Sequence, residues 1–200
     1  MSVFRIIRIS AGLALLVGAG MWSGLFQSCN MPVVVANPLS SIMSSHGEAM
    51  HYAPAENLER VDLQQLAEAK GHLNIAMYAF TDKAIAQELV RLADLGIAIR
   101  LYRDGDQYQQ EQARGGSTTD ILRGHPNIQI RVKRESKQNL MHLKAFCDGT
   151  VLRDGSANWS ISGLVRQDNS VTVTNNSSEV ESFERLYDDM WQRSSNLVVQ

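Results

Sequence analysis

The stretch Met141-His142-Leu143-Lys144-Ala145-Phe146-Cys147-Asp148-Gly149 decides how this chain is read. Asp148-Gly149 is a hairpin signal, because glycine takes the left-handed backbone that tight turns need. It separates the run Leu140 to Cys147 from Thr150 to Arg153, so the two read as an antiparallel hairpin. Side chains two apart on a strand share a face, which projects His142 and Lys144 together. An imidazole beside an ammonium can attack or protonate a phosphate while the ammonium neutralises its oxygens. Downstream come Gly155-Ser156-Ala157-Asn158 and then Asp168-Asn169. Glycine allows close backbone approach to a ligand, and the Ser156 hydroxyl and Asn158 amide can donate to phosphate oxygens. A carboxylate at Asp168 can take the Nδ1 proton of His142 and leave Nε2 free. Each residue also has a plainer reading: a chance triplet, turn chemistry for Ser156 and Asn158, a surface ion pair with Arg166 for Asp168. Their joint order points to a phosphodiester site.

Upstream of the hairpin, Leu73 to Phe80 is apolar and strand-like. Thr81-Asp82 opens a helix through Ile85, Leu89, Leu92 and Leu95, and Gly96 ends it. Ile97 to Tyr102 is the next strand. A strand-helix-strand unit with a short return predicts a parallel pair in an α/β sheet. An earlier helix follows Leu58, Val61, Leu63, Leu66 and Ala69 up to Gly71. Gln107 to Thr119 is polar and reads as a surface loop, with Ile121-Leu122 in a short helix. Ile128, Ile130 and Val132 alternate with Gln129, Arg131 and Lys133, the pattern of a half-exposed strand. Val171 and Val173 mark a later strand. Val180, Phe183, Leu186, Tyr187, Met190 and Trp191 form an apolar helical stripe suited to core packing.

With 44% hydrophobic and 20% charged residues, the composition supports a packed core. A net charge of -2 excludes a global attraction for nucleic acid, so phosphate binding needs a local cluster. Two cysteines, Cys29 and Cys147, are too few for a disulfide framework. Arg5 and Arg8 precede an uncharged apolar run from Ile9 to Phe26, the pattern of an export signal or an uncleaved anchor. Residues 1–36 are therefore expected to be a signal peptide or anchor, 37–51 a Ser-rich linker, and 52–196 the folded domain. The location expected is periplasmic or secreted, or the inner membrane facing the periplasm if the anchor is kept.

The order His142-x-Lys144, Gly155-Ser156-x-Asn158, Asp168-Asn169 resembles the phospholipase D superfamily, whose motif is His-x-Lys-x4-Asp followed by Gly-Ser-x-Asn. It is most similar to the small exported bacterial endonucleases that carry the motif once. The similarity runs from about Glu56 to Trp191 and includes Glu56-Asn57-Leu58-Glu59 and Ile75 to Asp82. The resemblance implies an α/β fold, a mixed β-sheet with helices on both faces. It implies a metal-independent phosphodiesterase without cofactor. His142 would be the nucleophile, forming a phosphohistidine. Lys144 and Asn158 would bind the phosphate with help from Ser156, and Asp168 would orient His142. One departure stands out: the motif's aspartate falls at Gly149, and the nearest acid, Asp148, comes one residue early. A shortened hairpin or a bulge must absorb the difference.

The implied mechanism uses two histidines, one neutral and one protonated. None of His46, His51, His72 or His125 has a lysine two residues on, so the second motif must come from another copy of the chain. A two-fold homodimer through the active-site face supplies it. Arg131, Lys133, Arg134 and Lys137 precede the motif and could follow the backbone of DNA or RNA. Cleavage would then be non-specific, since phosphate contacts carry no sequence information. Two other readings share the site: a hydrolase of lipid phosphodiesters held near a membrane by the N-terminal segment, and a degenerate nucleic-acid-binding protein.

Overall fold

The computed structural model describes residues 47–134 and 138–200. The signal or anchor, most of the linker and Lys137 lie outside the described residues. Among the described residues eight strands, β1 (Glu48–Ala53), β2 (His72–Met77), β3 (Ala98–Asp104), β4 (Ile128–Lys133), β5 (Lys144–Cys147), β6 (Leu152–Gly155), β7 (Asn169–Thr174) and β8 (Leu197–Val199), form one sheet in the order β1-β7-β6-β5-β2-β3-β4-β8. The expected parallel pair is β2 (His72–Met77) with β3 (Ala98–Asp104), and β4 (Ile128–Lys133) extends it in parallel. Strands β5 (Lys144–Cys147), β6 (Leu152–Gly155) and β7 (Asn169–Thr174) follow antiparallel from the other side of β2. The fold is therefore α/β with a mixed sheet, as the motif order implied.

Helices α1 (Leu58–Ala67), α2 (Lys83–Asp94) and α4 (Thr118–Leu122) lie together, and their apolar residues share one core with the sheet. Leu73, Ile75, Ile99, Leu101 and Ile130 project into it. The opposite face, through Ala76, Ala145, Cys147 and Leu152, meets α5 (Ser177–Trp191). Val180, Phe183, Tyr187, Met190 and Trp191 of the predicted stripe are buried, and Leu186 faces out. The N-caps follow from the chemistry of the preceding residue. Asn57 accepts from Arg60 N–H and Asp82 from Ile85 N–H, each satisfying a free amide of a first turn.

Three boundaries differ from expectation. Glu48 to His51, read as the end of the linker, belong to β1 (Glu48–Ala53), which pairs with β7. An edge strand with Met50 and Tyr52 outward carries little apolar alternation to announce it. At the other end β8 (Leu197–Val199) covers the free edge of β4 and extends the domain past residue 196. Gln107 to Thr119, read as a loop, is largely helical: α3 (Gly105–Ala113) precedes α4. Its sequence is polar on nearly all sides, and its anchor is the buried Glu111 rather than an apolar stripe.

Candidate active site

The missing motif aspartate is resolved by a short hairpin. Lys144 to Cys147 pair with β2 without a break, Met77 opposite Lys144 and Asn74 opposite Cys147. The chain then turns at once. Asp148 Oδ1 accepts from Thr150 N–H at 2.9 Å, from the Thr150 hydroxyl at 2.8 Å and from Val151 N–H at 2.8 Å. Burial raises the cost of that charge, but these donors outweigh it and hold the Asp148 carboxyl below its ordinary value. Gly149 sits at φ +86°, the left-handed position of the turn. Asp148 thus closes the loop and lies away from the phosphate-binding chemistry.

His142 is not on the strand. The ladder begins at Lys144, and His142 lies exposed in the segment before it. Lys144 is buried, only 4% exposed. The two side chains still meet, through a residue the sequence reading passed over. The Tyr78 ring centroid is 4.5 Å from the His142 ring, and Lys144 Nζ sits 4.9 Å from the same centroid. Lys144 Nζ also donates to the His142 carbonyl. Burial is the main force on the Lys144 ammonium and lowers its pKa to about 8, with Asp154 opposing and Arg153 assisting. Partial burial and the Lys144 charge hold the His142 imidazole below its ordinary value, and Asp104 pulls the other way.

Asp104 is the second residue that sequence reasoning missed. It ends β3 and is fully buried. Its Oδ1 caps α3 by accepting from Asp106 and Gln107 N–H, and its Oδ2 accepts from Met141 N–H at 3.0 Å. One carboxylate therefore fixes the peptide next to His142 and acts on the imidazole's charge. Asp168, expected in that role, is exposed and forms no hydrogen bond or ion pair with His142 among the described residues. It enters β7, and β6 lies between β7 and the strand that follows His142. An Asp followed by Gly and a polar helix, after an apolar strand, is the signal that could have picked out Asp104.

Asn158 reaches the site as expected. Its Oδ1 accepts from Ala79 N–H at 3.3 Å, and its Nδ2 has no intramolecular partner among the described residues, so it can donate to a ligand. Ser156 is committed elsewhere. Its hydroxyl donates to Asn169 Oδ1 at 2.8 Å and accepts from Ser170 N–H at 3.0 Å, which ties β6 to β7. Gly155 is required there: a Cβ would stand 2.2 Å from the Ser170 carbonyl oxygen. Arg131 is also engaged. Its guanidinium lies 4.6 Å from the Trp191 ring and donates to the Trp191 carbonyl, which joins β4 to α5. Lys133 Nζ donates to the Asn139 carbonyl, in the segment leading to His142. Of the expected basic track, Arg134 is exposed.

Two buried ionic clusters hold the frame. Arg153 forms a two-bond pair with Asp62, Nε to Oδ1 at 2.8 Å and Nη2 to Oδ2 at 2.7 Å, and both side chains are fully buried. Trp159 Nε1 donates to the same Oδ2 at 2.8 Å, and Arg153 Nη1 donates to the Lys144 carbonyl at 2.5 Å. Helix α1 is thereby fastened to both halves of the motif. On the other flank, Arg103 pairs with Glu111 at 2.6 Å and donates from Nε to the Met77 carbonyl at 3.1 Å. Glu111 Oε1 accepts from Phe80 N–H at 2.9 Å, and Thr118 Oγ1 donates to the Phe80 carbonyl at 2.6 Å. These bonds fix Tyr78 and Ala79 where the chain leaves β2. Among the described residues, no three His, Cys, Asp or Glu side chains come together as a metal-ligand set. The arrangement presents an imidazole, an ammonium and an amide donor at the ends of β2 and β3. It can attack an anion and neutralise it.

Comparison with known proteins agrees with this geometry. The family model described as cardiolipin synthase, PLD-like domain, matches residues 63–191. A mitochondrial cardiolipin hydrolase of Chlamydomonas reinhardtii is 28% identical over 130 residues, 64% of this chain and 55% of that protein. The human protein of the same name is 26% identical over 132 residues, 66% of this chain and 50% of its own length. The chain thus spans about half the length of these curated relatives. Among solved structures, Nuc from Salmonella typhimurium, a phospholipase D family member, superposes with a TM-score of 0.65 at 20% identity. That match covers 76% of this chain and 97% of that one. NucT from Helicobacter pylori also gives 0.65, at 21% identity, over 72% of this chain and 95% of that one. At such identities the two structures speak for the fold alone, while the family match spans more than half of the chain. The chain belongs to the PLD-like domain family, and so to the phospholipase D superfamily.

Proposed function

We propose that this protein is a metal-independent phosphodiester hydrolase that works through a phosphohistidine on His142. The observation that carries the reading is the convergence of His142 and Lys144 on the single ring of Tyr78, with the free Asn158 amide held by the adjoining Ala79. The neutral imidazole attacks phosphorus. Lys144 and Asn158 take the charge that builds on the non-bridging oxygens. The leaving oxygen needs a proton, which comes from His142 of a second copy, so the working unit is a homodimer with one phosphate between two identical rings. Water, giving its proton to the second ring, then attacks phosphorus, breaks the bond to the first ring and releases the phosphomonoester.

The substrate proposed is a nucleic-acid backbone, cleaved without sequence preference. Its support is the motif order and the basic residues Lys133 and Arg134 at the end of β4, close to the segment that carries His142. Two observations favour a lipid phosphodiester as the second reading. Leu140 and Ile161 are exposed apolar side chains within a few residues of His142 and Asn158, and the relatives above are named cardiolipin hydrolases. One experiment separates these. Purified protein in EDTA is offered single-stranded DNA, duplex DNA, RNA and cardiolipin vesicles side by side, with His142→Ala as control. Hydrolysis of nucleic acid that survives chelation and disappears in His142→Ala is expected. Turnover of the vesicles alone would move the assignment to lipid. Activity equal in His142→Ala, or abolished by EDTA, would end the reading.

A further inference from the structure

We propose that Tyr78 is the positioning residue for His142, and that its aromatic ring rather than its hydroxyl does this. The inference rests on the phosphodiesterase reading above and adds a residue to it. Tyr78 is the first residue beyond β2. Its N–H donates at 3.0 Å to the carbonyl of Leu143, the residue between His142 and Lys144, so the backbones are in register at the motif. Its phenol oxygen accepts from Gln107 Nε2 of α3 at 3.2 Å. The ring is thus held at both ends, and on it rest the imidazole at 4.5 Å, tilted by 59°, and the ammonium at 4.9 Å.

Three consequences follow from elementary chemistry. His142 sits in an exposed segment before its strand, where an unsupported imidazole would sample several rotamers. The tilted contact selects among them, and Asp168 makes no hydrogen bond to this ring within the chain among the described residues. Lys144 is almost fully buried with no carboxylate bonded to it among the described residues. The electron-rich ring face helps to keep its proton on. Because one ring touches both groups, it also fixes the distance between nucleophile and cation, the quantity to which attack on a bound phosphate is most sensitive.

The test measures hydrolysis of bis(4-nitrophenyl) phosphate in EDTA by the parent, Tyr78→Phe, Tyr78→Leu and His142→Ala, with NMR titration of the His142 ring in the first three. Thermal melting confirms that each variant is folded. Tyr78→Leu is expected to lose about 10- to 100-fold in kcat with little change in KM. Its His142 titration moves upward, since the ring that shields the imidazole from water is gone. Tyr78→Phe restores most of the rate and the parental titration. The proposal is overturned if Tyr78→Leu keeps the parental kcat and titration, or if Tyr78→Phe falls as far as Tyr78→Leu. A parent whose rate equals that of His142→Ala would overturn the phosphodiesterase reading itself and the positioning role with it. Parental activity that needs His142 but ignores Tyr78 would sink only the second.

Discussion

Lys144 is a buried ammonium that has to meet an anion, and its titration sets a limit on the proposed mechanism. Burial favours the neutral amine and brings the pKa from 10.5 to about 8. The side chain is therefore charged below pH 8 and loses its charge as pH rises through that value. In the unfolded chain the same lysine keeps its proton to a higher pH. Its burial thus costs stability below pH 8, and that cost fades as pH climbs toward 10.5. For His142 the shift runs below the ordinary imidazole value, so the neutral nucleophile persists to lower pH than a free histidine would allow. The profile of kcat/KM should then be bell-shaped, with both limbs set by the paired His142 rings, one neutral and one protonated, its acid limb under the ordinary imidazole range, and with KM rising further near pH 8 as Lys144 loses its charge. Lys144→Gln should lower kcat/KM by about 100-fold at neutral pH and lose the rise in KM near pH 8, while the limbs set by the two imidazoles remain. A parental profile that stays flat well above pH 8, with Lys144→Gln equally active, would contradict this assignment.

At the scale of elements, the stability of the motif rests on Asp62 and Arg153, and neither could be singled out from the sequence. Asp62 lies in a helix whose apolar residues, Leu58 and Leu66, announced it, but a carboxylate between them reads as solvent-facing. Only the sheet order reveals that Arg153 of β6 faces α1 and meets Asp62 there. The pair also holds Trp159 and the Lys144 carbonyl. Removing one partner leaves a buried, uncompensated charge. Asp62→Ala should cost about 3–5 kcal/mol and lower the melting temperature by roughly 10 °C. Thermal and urea unfolding check this, and a variant that melts with the parent would show that the pair is not a structural anchor. The same contrast explains what was legible elsewhere. The parallel β2-β3 unit, the Asp82 cap and the apolar face of α5 are written in local periodicity. Strand β1 and helix α3 are not, because one is an edge strand with outward apolar residues and the other is held by a single buried glutamate. Within the site, His142, Lys144 and Asn158 could be named from their spacing. Tyr78 and Asp104 come from the ends of other strands, and Ser156 shows its partners Asn169 and Ser170 only once β6 and β7 are placed side by side.

For the molecule as a whole, the sheet places a single His142 at one end of the fold. The proposed chemistry needs two such rings, so it requires a pair of chains that take different roles while being identical. That asymmetry is directly observable. If one ring bonds to phosphorus while its twin holds the proton, no more than one chain in two can carry the covalent group at any moment. The decisive measurement is a rapid alkaline denaturing quench of the enzyme turning over a phosphodiester in EDTA, followed by mass spectrometry of the peptide containing residue 142. The expected result is an adduct on His142, its phosphorus still carrying the remaining ester group of the substrate, that rises and decays at the rate of turnover and never exceeds one adduct per two chains. Turnover with no adduct on that ring, or labelling of every chain, would contradict it.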